Sequence, residues 1–387
     1  MNALPHPERF EVEGIYLNSA YTHPMSIASA DAVQRYLAGR MCKGRVSAHD
    51  IVAERNDAKA LFARLINCDA GELAWVPSTM VGENLILAGL GLPGKGGHIV
   101  TDAAHFEGSL YLYQSLRQEG VEVTILPLQD REVTPERIAA AIRPDTRLVA
   151  LSHVSALNGF EHDLQAVCAL AHAHGVPVYA DIIQAAGAIP IDVRASGVDF
   201  CACSTYKWLM GDFGVGFLYV RGDRIGDLRR TQRGYRQLRA FGTHFLPHEA
   251  PQEAPVSFVQ GSDTAALFEV GTLGSAAVAA LNVSLSYLLD IGVAALQAHR
   301  QPMMARLQDA LPALGFEPLT TRTSGGPIVS FAFANAMDLK PALDAAGIRI
   351  QLYPHRFRIS PSVFNSMNDI ESLIDVLTRF TEKASHA

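Results

Sequence analysis

Lys207 occupies an unusual place for a lysine. It follows the apolar pattern Asp199–Ser204 and precedes a glycine turn (Gly211, Gly214, Gly216), in a chain with only six lysines. A lysine amine becomes a carbonyl nucleophile when its pKa falls, which a semi-buried position near other positive charge can bring about. The preceding strand pattern, Val178-Tyr-Ala-Asp181, ends in a carboxylate. Such a group can keep a heteroaromatic ring nitrogen protonated, so that the ring draws electrons from a bound carbon. Ser78-Thr79-Met80 opens a helical pattern, and hydroxyls beside the N–H groups of a helix start suit a phosphate. All three features lie at the ends of predicted strands, where an open α/β sheet places its ligands. Singly, each has an ordinary reading, since many strands end in Asp and a loop lysine is usually solvated. In their joint order and spacing they point to pyridoxal phosphate, an aldehyde with a ring nitrogen and a phosphate, bound to Lys207 as a Schiff base.

The elements that must position these residues follow from periodicity. Ile51, Val52, Arg55, Ala58, Leu61, Phe62 and Leu65 fall at helical spacing, and Glu72–Val76 reads as a short strand. Helices are predicted over Met80–Leu92, Phe106–Glu119, Pro135–Ile142 and Asp163–His174. Strands are predicted over His98–Thr101, Val121–Leu126, Thr146–Ser152, Val176–Asp181, Asp199–Ser204 and Gly214–Val220. Short apolar strands between amphipathic helices indicate an α/β fold with a mostly parallel sheet. Beyond about residue 265 a long Ala/Leu-rich helix (Ser275–Leu289) leads into a tail, 302–387, that reads as a compact α+β unit. The predicted organisation is an N-terminal segment (1–20), a large α/β domain (21–265) and a connecting helix with a smaller C-terminal α+β domain (266–387).

Composition narrows the function. A net charge of -7 argues against a nucleic-acid surface, which needs clustered Lys and Arg over a broad face. The one basic stretch, 221–239, reads as a solvated or subunit-facing surface rather than an anion groove. No apolar run reaches membrane-span length, and the N-terminus has no signal-peptide pattern. Five scattered cysteines (Cys42, Cys68, Cys168, Cys201, Cys203) fit a reduced cytoplasm better than a disulfide framework. Cys201 and Cys203 share a strand face and read as core, and His172 and His174 read as helix surface. Gly89-Leu-Gly-Leu-Pro-Gly94, with Lys95, mimics nucleotide-binding loops, but its glycines end a helix and precede a strand. Phosphate-binding loops need the reverse order.

From Ser152 to Val220 the chain resembles the class V aminotransferase family of fold-type I pyridoxal-phosphate enzymes. That family includes cysteine desulfurases, selenocysteine lyases, kynureninases and isopenicillin N epimerases. The likeness rests on Ser152-His-Val-Ser, a helix ending in Ala-His-Gly, Asp181-x-x-Gln184, Asp192-Val, Gly197-Val-Asp199-Phe and Ser204-x-x-Lys207 before a Gly-x-Gly turn. It extends to Tyr16-Leu-Asn-Ser-Ala20, Phe268-Glu-Val-Gly-Thr272, and Arg358-Ile-Ser with Asn365 and Asp369. The resemblance implies that Lys207 carries the cofactor and moves the substrate's α-proton, that Asp181 pairs with the ring nitrogen and that Gln184 lies beside the phenolic oxygen. It implies that Ser204, Thr79 and the Met80 backbone hold phosphate, with Tyr206 where many relatives use His. It also places His105 over the ring, Arg358 on the substrate's α-carboxylate, and Thr272 at the phosphate of a neighbouring subunit in a homodimer. Without the resemblance, His105 would read as a helix-opening residue, and Arg356 and Arg358 as an exposed strand edge.

Three departures matter. Ala156 stands where relatives often carry an Asn to the phenolic oxygen, with Asn158 two residues on, and Met80 replaces a common phosphate-binding Thr. Between Gly315 and Arg358 there is no cysteine, whereas desulfurases carry a reactive one on a loop before the arginine. The expected activity is therefore aminotransferase-like chemistry on an amino acid. β-Elimination with C–S or C–Se cleavage and epimerisation are the alternatives within the family. A non-catalytic fold relative and a nucleotide-dependent oxidoreductase are the alternatives outside it.

Overall fold

The main sheet of the computed structural model, which describes residues 4–43 and 48–385, has seven strands. Their order across the sheet is Leu73–Val76, Gly216–Val220, Phe200–Ser204, Val178–Asp181, Thr146–Ser152, His98–Asp102 and Glu122–Leu126. The five strands from Phe200–Ser204 to Glu122–Leu126 pair in parallel. Gly216–Val220 runs antiparallel to both of its neighbours.

These strands read as continuous apolar runs because helices cover both faces. Val149, Leu151, Val178, Ala180, Cys201 and Cys203 join the core on one face. Leu148, Ala150, Tyr179, Phe200, Ala202 and Leu218 join the core on the other. The two cysteines are core residues, as their shared strand face predicts. On the second face the helix Thr79–Leu90 lies close enough that a Cβ on Gly82 would come within 2.8 Å of Ala202 Cβ. That helix starts under Ser78, whose hydroxyl accepts the Val81 N–H, and ends at Gly91 in the left-handed region at φ +89. The Gly89–Lys95 run is thus the exit of a helix, and its glycines turn the chain into the strand His98–Asp102.

Near the C-terminus, Glu317–Pro318, Val329–Ala332, Arg356–Ile359 and Gln351–Tyr353 form a four-stranded antiparallel sheet in that order. The chain's beginning joins this unit. Ile15–Tyr16 pairs in parallel with Ile348–Arg349, and Leu17 shares a core with Phe357, Leu373 and Leu377. Between the two sheets in chain order, the helix Ser275–Ile291 packs against Ile27–Lys43 and Ala48–Ile66. Among the described residues no single helix is long and apolar enough to cross a membrane.

Three features depart from the sequence reading. His172 is not plain helix surface: its Nε2 lies 2.7 Å from the buried Asp199 carboxylate. Asp199 also receives Arg224 at 2.7 Å and Arg221 at 3.0 Å, so the start of the basic stretch is tied to the sheet. The same stretch then runs into an exposed hairpin, Leu238–Thr243 paired with Val256–Gln260. Phe241, Phe258 and Val259 face solvent there. The helix Ile27–Lys43 is the third, an element absent from the sequence reading.

Candidate active site

Asp181 is the last residue of the strand Val178–Asp181, and its neighbour Phe200–Ser204 delivers Lys207 three residues beyond its end. A tight turn fixes the lysine: the Met210 N–H donates to the Lys207 carbonyl at 2.8 Å and the Gly211 N–H to the Thr205 carbonyl at 2.9 Å. Lys207 is 8% exposed and Asp181 3%. Burial lowers the Lys207 amine to about 8 against the opposing pull of Asp181, and the Arg358 charge pushes the same way as burial. Burial also lifts the Asp181 carboxyl to about 6, although the Ile183 N–H, donating at 2.9 Å, favours its charged form. A buried amine near its neutral form beside a buried acid is the polarity a carbonyl cofactor with a basic ring nitrogen requires.

The residues expected to hold phosphate are partly satisfied by one another. The Thr79 N–H donates to Ser204 Oγ at 2.8 Å, the Ser204 N–H donates to Thr79 Oγ1 at 2.9 Å, and the two hydroxyls lie 3.0 Å apart. The pair ties the helix start to the strand end and leaves one hydroxyl proton to spare. The Met80 N–H, in the first helical turn, has no backbone partner outside the helix. A hydroxyl and an N–H at a helix start fit an oxyanion. Thr272 is exposed, with its hydroxyl 3.1 Å from Tyr235 Oη, and does not line the cavity described below.

His105 is buried in the cavity wall. Its Nδ1 lies 2.8 Å from Ser152 Oγ and accepts the Phe106 N–H at 2.9 Å, which places the ring proton on Nε2. Nε2 faces Glu83 Oε1 at 3.4 Å, an ion-pair distance outside hydrogen-bond geometry. Glu83 accepts the Ser109 hydroxyl at 2.6 Å and the Tyr113 hydroxyl in a short contact. This buried carboxylate escaped the sequence reading. Its one signal is a lone acidic residue between Gly82 and Leu85 on an otherwise apolar helix.

A cavity of about 370 Å³ opens over these groups. His105, Tyr206, Lys207 and Arg358 line it, whereas Thr79, Met80, Asp181, Gln184, Ser204 and Thr272 do not. Gln184 is held at both ends: its Nε2 donates to the Ala20 carbonyl at 3.0 Å and its Oε1 accepts Trp208 Nε1–H at 2.8 Å. Tyr206 stacks on Phe213 with ring centroids 4.4 Å apart. Arg358 is not an exposed strand edge. It is 3% exposed, donates to the Ala156 carbonyl at 2.8 Å and keeps its Nε–H unpartnered. Asn158 does not replace the Asn missing at Ala156, because its amide is bonded to the Arg131 carbonyl and the Phe160 N–H. Asn365 and Asp369 are bonded to each other and to the backbone that opens the helix Met367–Ser385.

The family model described as aminotransferase class-V matches residues 15–356. The chain belongs to the class V aminotransferase family. It is a pyridoxal-phosphate enzyme of fold-type I. A probable cysteine desulfurase of Methanothermobacter thermautotrophicus is 28% identical over 305 residues, covering 78% of this chain and 73% of that protein. The crystal structure of the cysteine desulfurase CsdA from Escherichia coli superposes with a TM-score of 0.83 at 24% identity, covering 97% of each chain. A complex of the cystine C–S lyase C-DES with cysteine persulfide superposes with a TM-score of 0.81 at 22% identity, covering 94% of this class V chain and 97% of C-DES. These structural likenesses establish the fold.

Proposed function

We propose that the protein cleaves the bond between Cβ and its substituent in an amino acid, C–S bonds being the first candidates. The observation that carries this reading is the cavity wall, lined by Lys207, His105 and Arg358 and, among the described residues, by no cysteine. The aminotransferase-like expectation yields to C–S cleavage because the similar proteins are named as cysteine desulfurases and a cystine C–S lyase. Burial pushes the Cys68 and Cys168 thiols up to about 12 and those of Cys201 and Cys203 well up too. With no thiol on the cavity wall among the described residues, a leaving sulfur group passes to solvent.

When bound, pyridoxal phosphate supplies an electron sink conjugated to the substrate's Cα. Thr79, Ser204 and the Met80 N–H would hold its phosphate, Asp181 its ring nitrogen and His105 one ring face, with Gln184 beside the phenolic oxygen. Arg358 then grips the α-carboxylate, since a planar guanidinium suits bidentate carboxylate pairing. Lys207 Nζ, in its neutral form, takes the proton from Cα. The electron pair left on Cα becomes a Cα–Cβ double bond as the Cβ–S bond breaks, and sulfur departs with its own pair. Water hydrolyses the released enamine to pyruvate and ammonia.

A second copy of the chain completes this reading. Thr272 would reach the partner's phosphate site, and the exposed apolar residues of the hairpin would be covered in the dimer. The five described cysteines are unpaired, which fits a reducing cytoplasm. The decisive experiment incubates the purified holoenzyme with cysteine and S-substituted cysteines and measures pyruvate, ammonia and the accumulation of pyridoxamine phosphate. The proposal expects pyruvate and ammonia in equal amounts. Accumulation of pyridoxamine phosphate without pyruvate would restore the aminotransferase reading.

A further inference from the structure

Arg358 has a companion that the reaction above does not use. Arg356 stands two residues earlier on the strand Arg356–Ile359 and lines the same cavity. Residues two apart on a strand share a face, their attachment points about 7 Å apart. The two guanidiniums rest on successive carbonyls of one loop: Arg358 donates to Ala156 at 2.8 Å and Arg356 to Leu157 at 3.4 Å. They are close enough that the Arg356 charge works against protonation of Arg358.

Arg356 is held in place without being neutralised. Tyr353 lies directly across the antiparallel pairing, and the Arg356 guanidinium stacks on its ring at 3.5 Å from the centroid. Stacking fixes the plane of the fork and leaves its edge, with most of its donors, free. Among the described residues neither arginine makes an ion pair, whereas the half-buried Arg221, Arg224 and Arg236 do. Glu107 is the one carboxylate on the cavity wall, and it is exposed and further than 4.0 Å from both arginines. Two unpaired guanidiniums side by side in one cavity leave two anionic positions to be filled. An ordinary amino acid fills one of them with its α-carboxylate.

We infer that Arg356 binds an oxyanion on the substrate's side chain, so that the enzyme selects amino acids whose β-substituent carries a carboxylate, sulfinate, thiosulfonate or phosphate. This deepens the proposed function and rests on its placement of the α-carboxylate at Arg358. Phe106, Leu110 and Phe213 belong to the apolar part of the wall. The wall thus favours a short anionic substituent reaching along the strand rather than a polar or cationic one.

The test is a spectral titration of the holoenzyme, reading the shift in cofactor absorption as each amino acid binds. The probes are cysteine sulfinate, S-sulfocysteine, O-phosphoserine and aspartate against alanine, serine and cysteine. Wild-type enzyme binds at least one anionic probe about tenfold or more tightly than alanine, the strength of a charge-assisted pair. Arg356→Gln removes that preference while leaving alanine affinity within about twofold, and Arg356→Lys restores part of it. Arg358→Gln weakens every probe, which separates the two sites. An Arg356→Gln enzyme that keeps the wild-type ratio of anionic to neutral affinity overturns the inference, as does a wild type that prefers neutral amino acids. Binding is read whichever bond later breaks. Failure to release pyruvate therefore counts against β-elimination, and an unchanged affinity ratio counts against Arg356.

Discussion

Asp181 and Lys207 stand at the ends of neighbouring strands, each within the other's electrostatic field, with their acidities drawn together. Burial lifts the carboxyl to about 6 and lowers the amine to about 8. Both shifts are costs to the cofactor-free protein, and both fall on groups that the cofactor would engage.

Their signs predict the pH dependence of the apoprotein. Asp181 binds its proton more tightly in the folded state, so its contribution is complete below its unfolded pKa and is lost as pH rises through about 6. Lys207 binds its proton less tightly when folded, so stability recovers as pH rises from about 8 towards 10.5. Urea unfolding of the apoprotein should therefore show a stability minimum between these values. Asp181→Asn should flatten the lower limb and raise stability at pH 7 by about 3 kcal/mol. An unchanged lower limb in that variant would locate the titration elsewhere.

Arg358 is nearly sealed from solvent and has an unpartnered Nε–H beside the cavity. Arg358→Ala should lower kcat/KM on the order of 10²-fold for every amino acid, because truncating one partner of a buried charge pair costs about 2–5 kcal/mol. Steady-state kinetics over several substrates checks this. An effect confined to one substrate would assign the α-carboxylate to another group.

Glu83 accepts two buried hydroxyls, from Ser109 and Tyr113. Glu83→Gln keeps the volume but turns one acceptor into a donor, so one hydroxyl loses its partner. The expected loss is about 1–3 kcal/mol of unfolding free energy. The denaturant midpoint should fall at constant m-value.

Gly82 tests the seating of the helix that carries Thr79 and Met80. A Cβ there would meet Ala202 Cβ at 2.8 Å. Gly82→Val should push the helix outward, cost about 1–3 kcal/mol or more, and weaken cofactor retention. Dialysis of the loaded protein reports the second effect, and retention equal to wild type would show that the helix start does not hold phosphate.

Much of this was legible in the residues. Strand ends at Asp181 and Ser204 follow from apolar runs bounded by turn residues, and a helix beginning near Met80 follows from the small and hydroxyl residues that precede it. Local patterns carry no information about what meets across the sheet. Glu83 under His105, the Thr79–Ser204 pair and Tyr353 beneath Arg356 are contacts between distant segments. Arg358 reads as an exposed edge for the same reason, since the loop that buries it lies 200 residues earlier, at Ala156. Asp199 shows the converse: a strand-opening acid that looked unremarkable gathers His172, Arg221 and Arg224.

The central claim is that Lys207 carries the cofactor. Borohydride reduction of the holoenzyme, followed by proteolysis and peptide mass spectrometry, tests it most directly. The account predicts one reduced pyridoxyl adduct, on the peptide containing Lys207, and no adduct in Lys207→Ala. An adduct on any other lysine, or an undiminished adduct in Lys207→Ala, would contradict it.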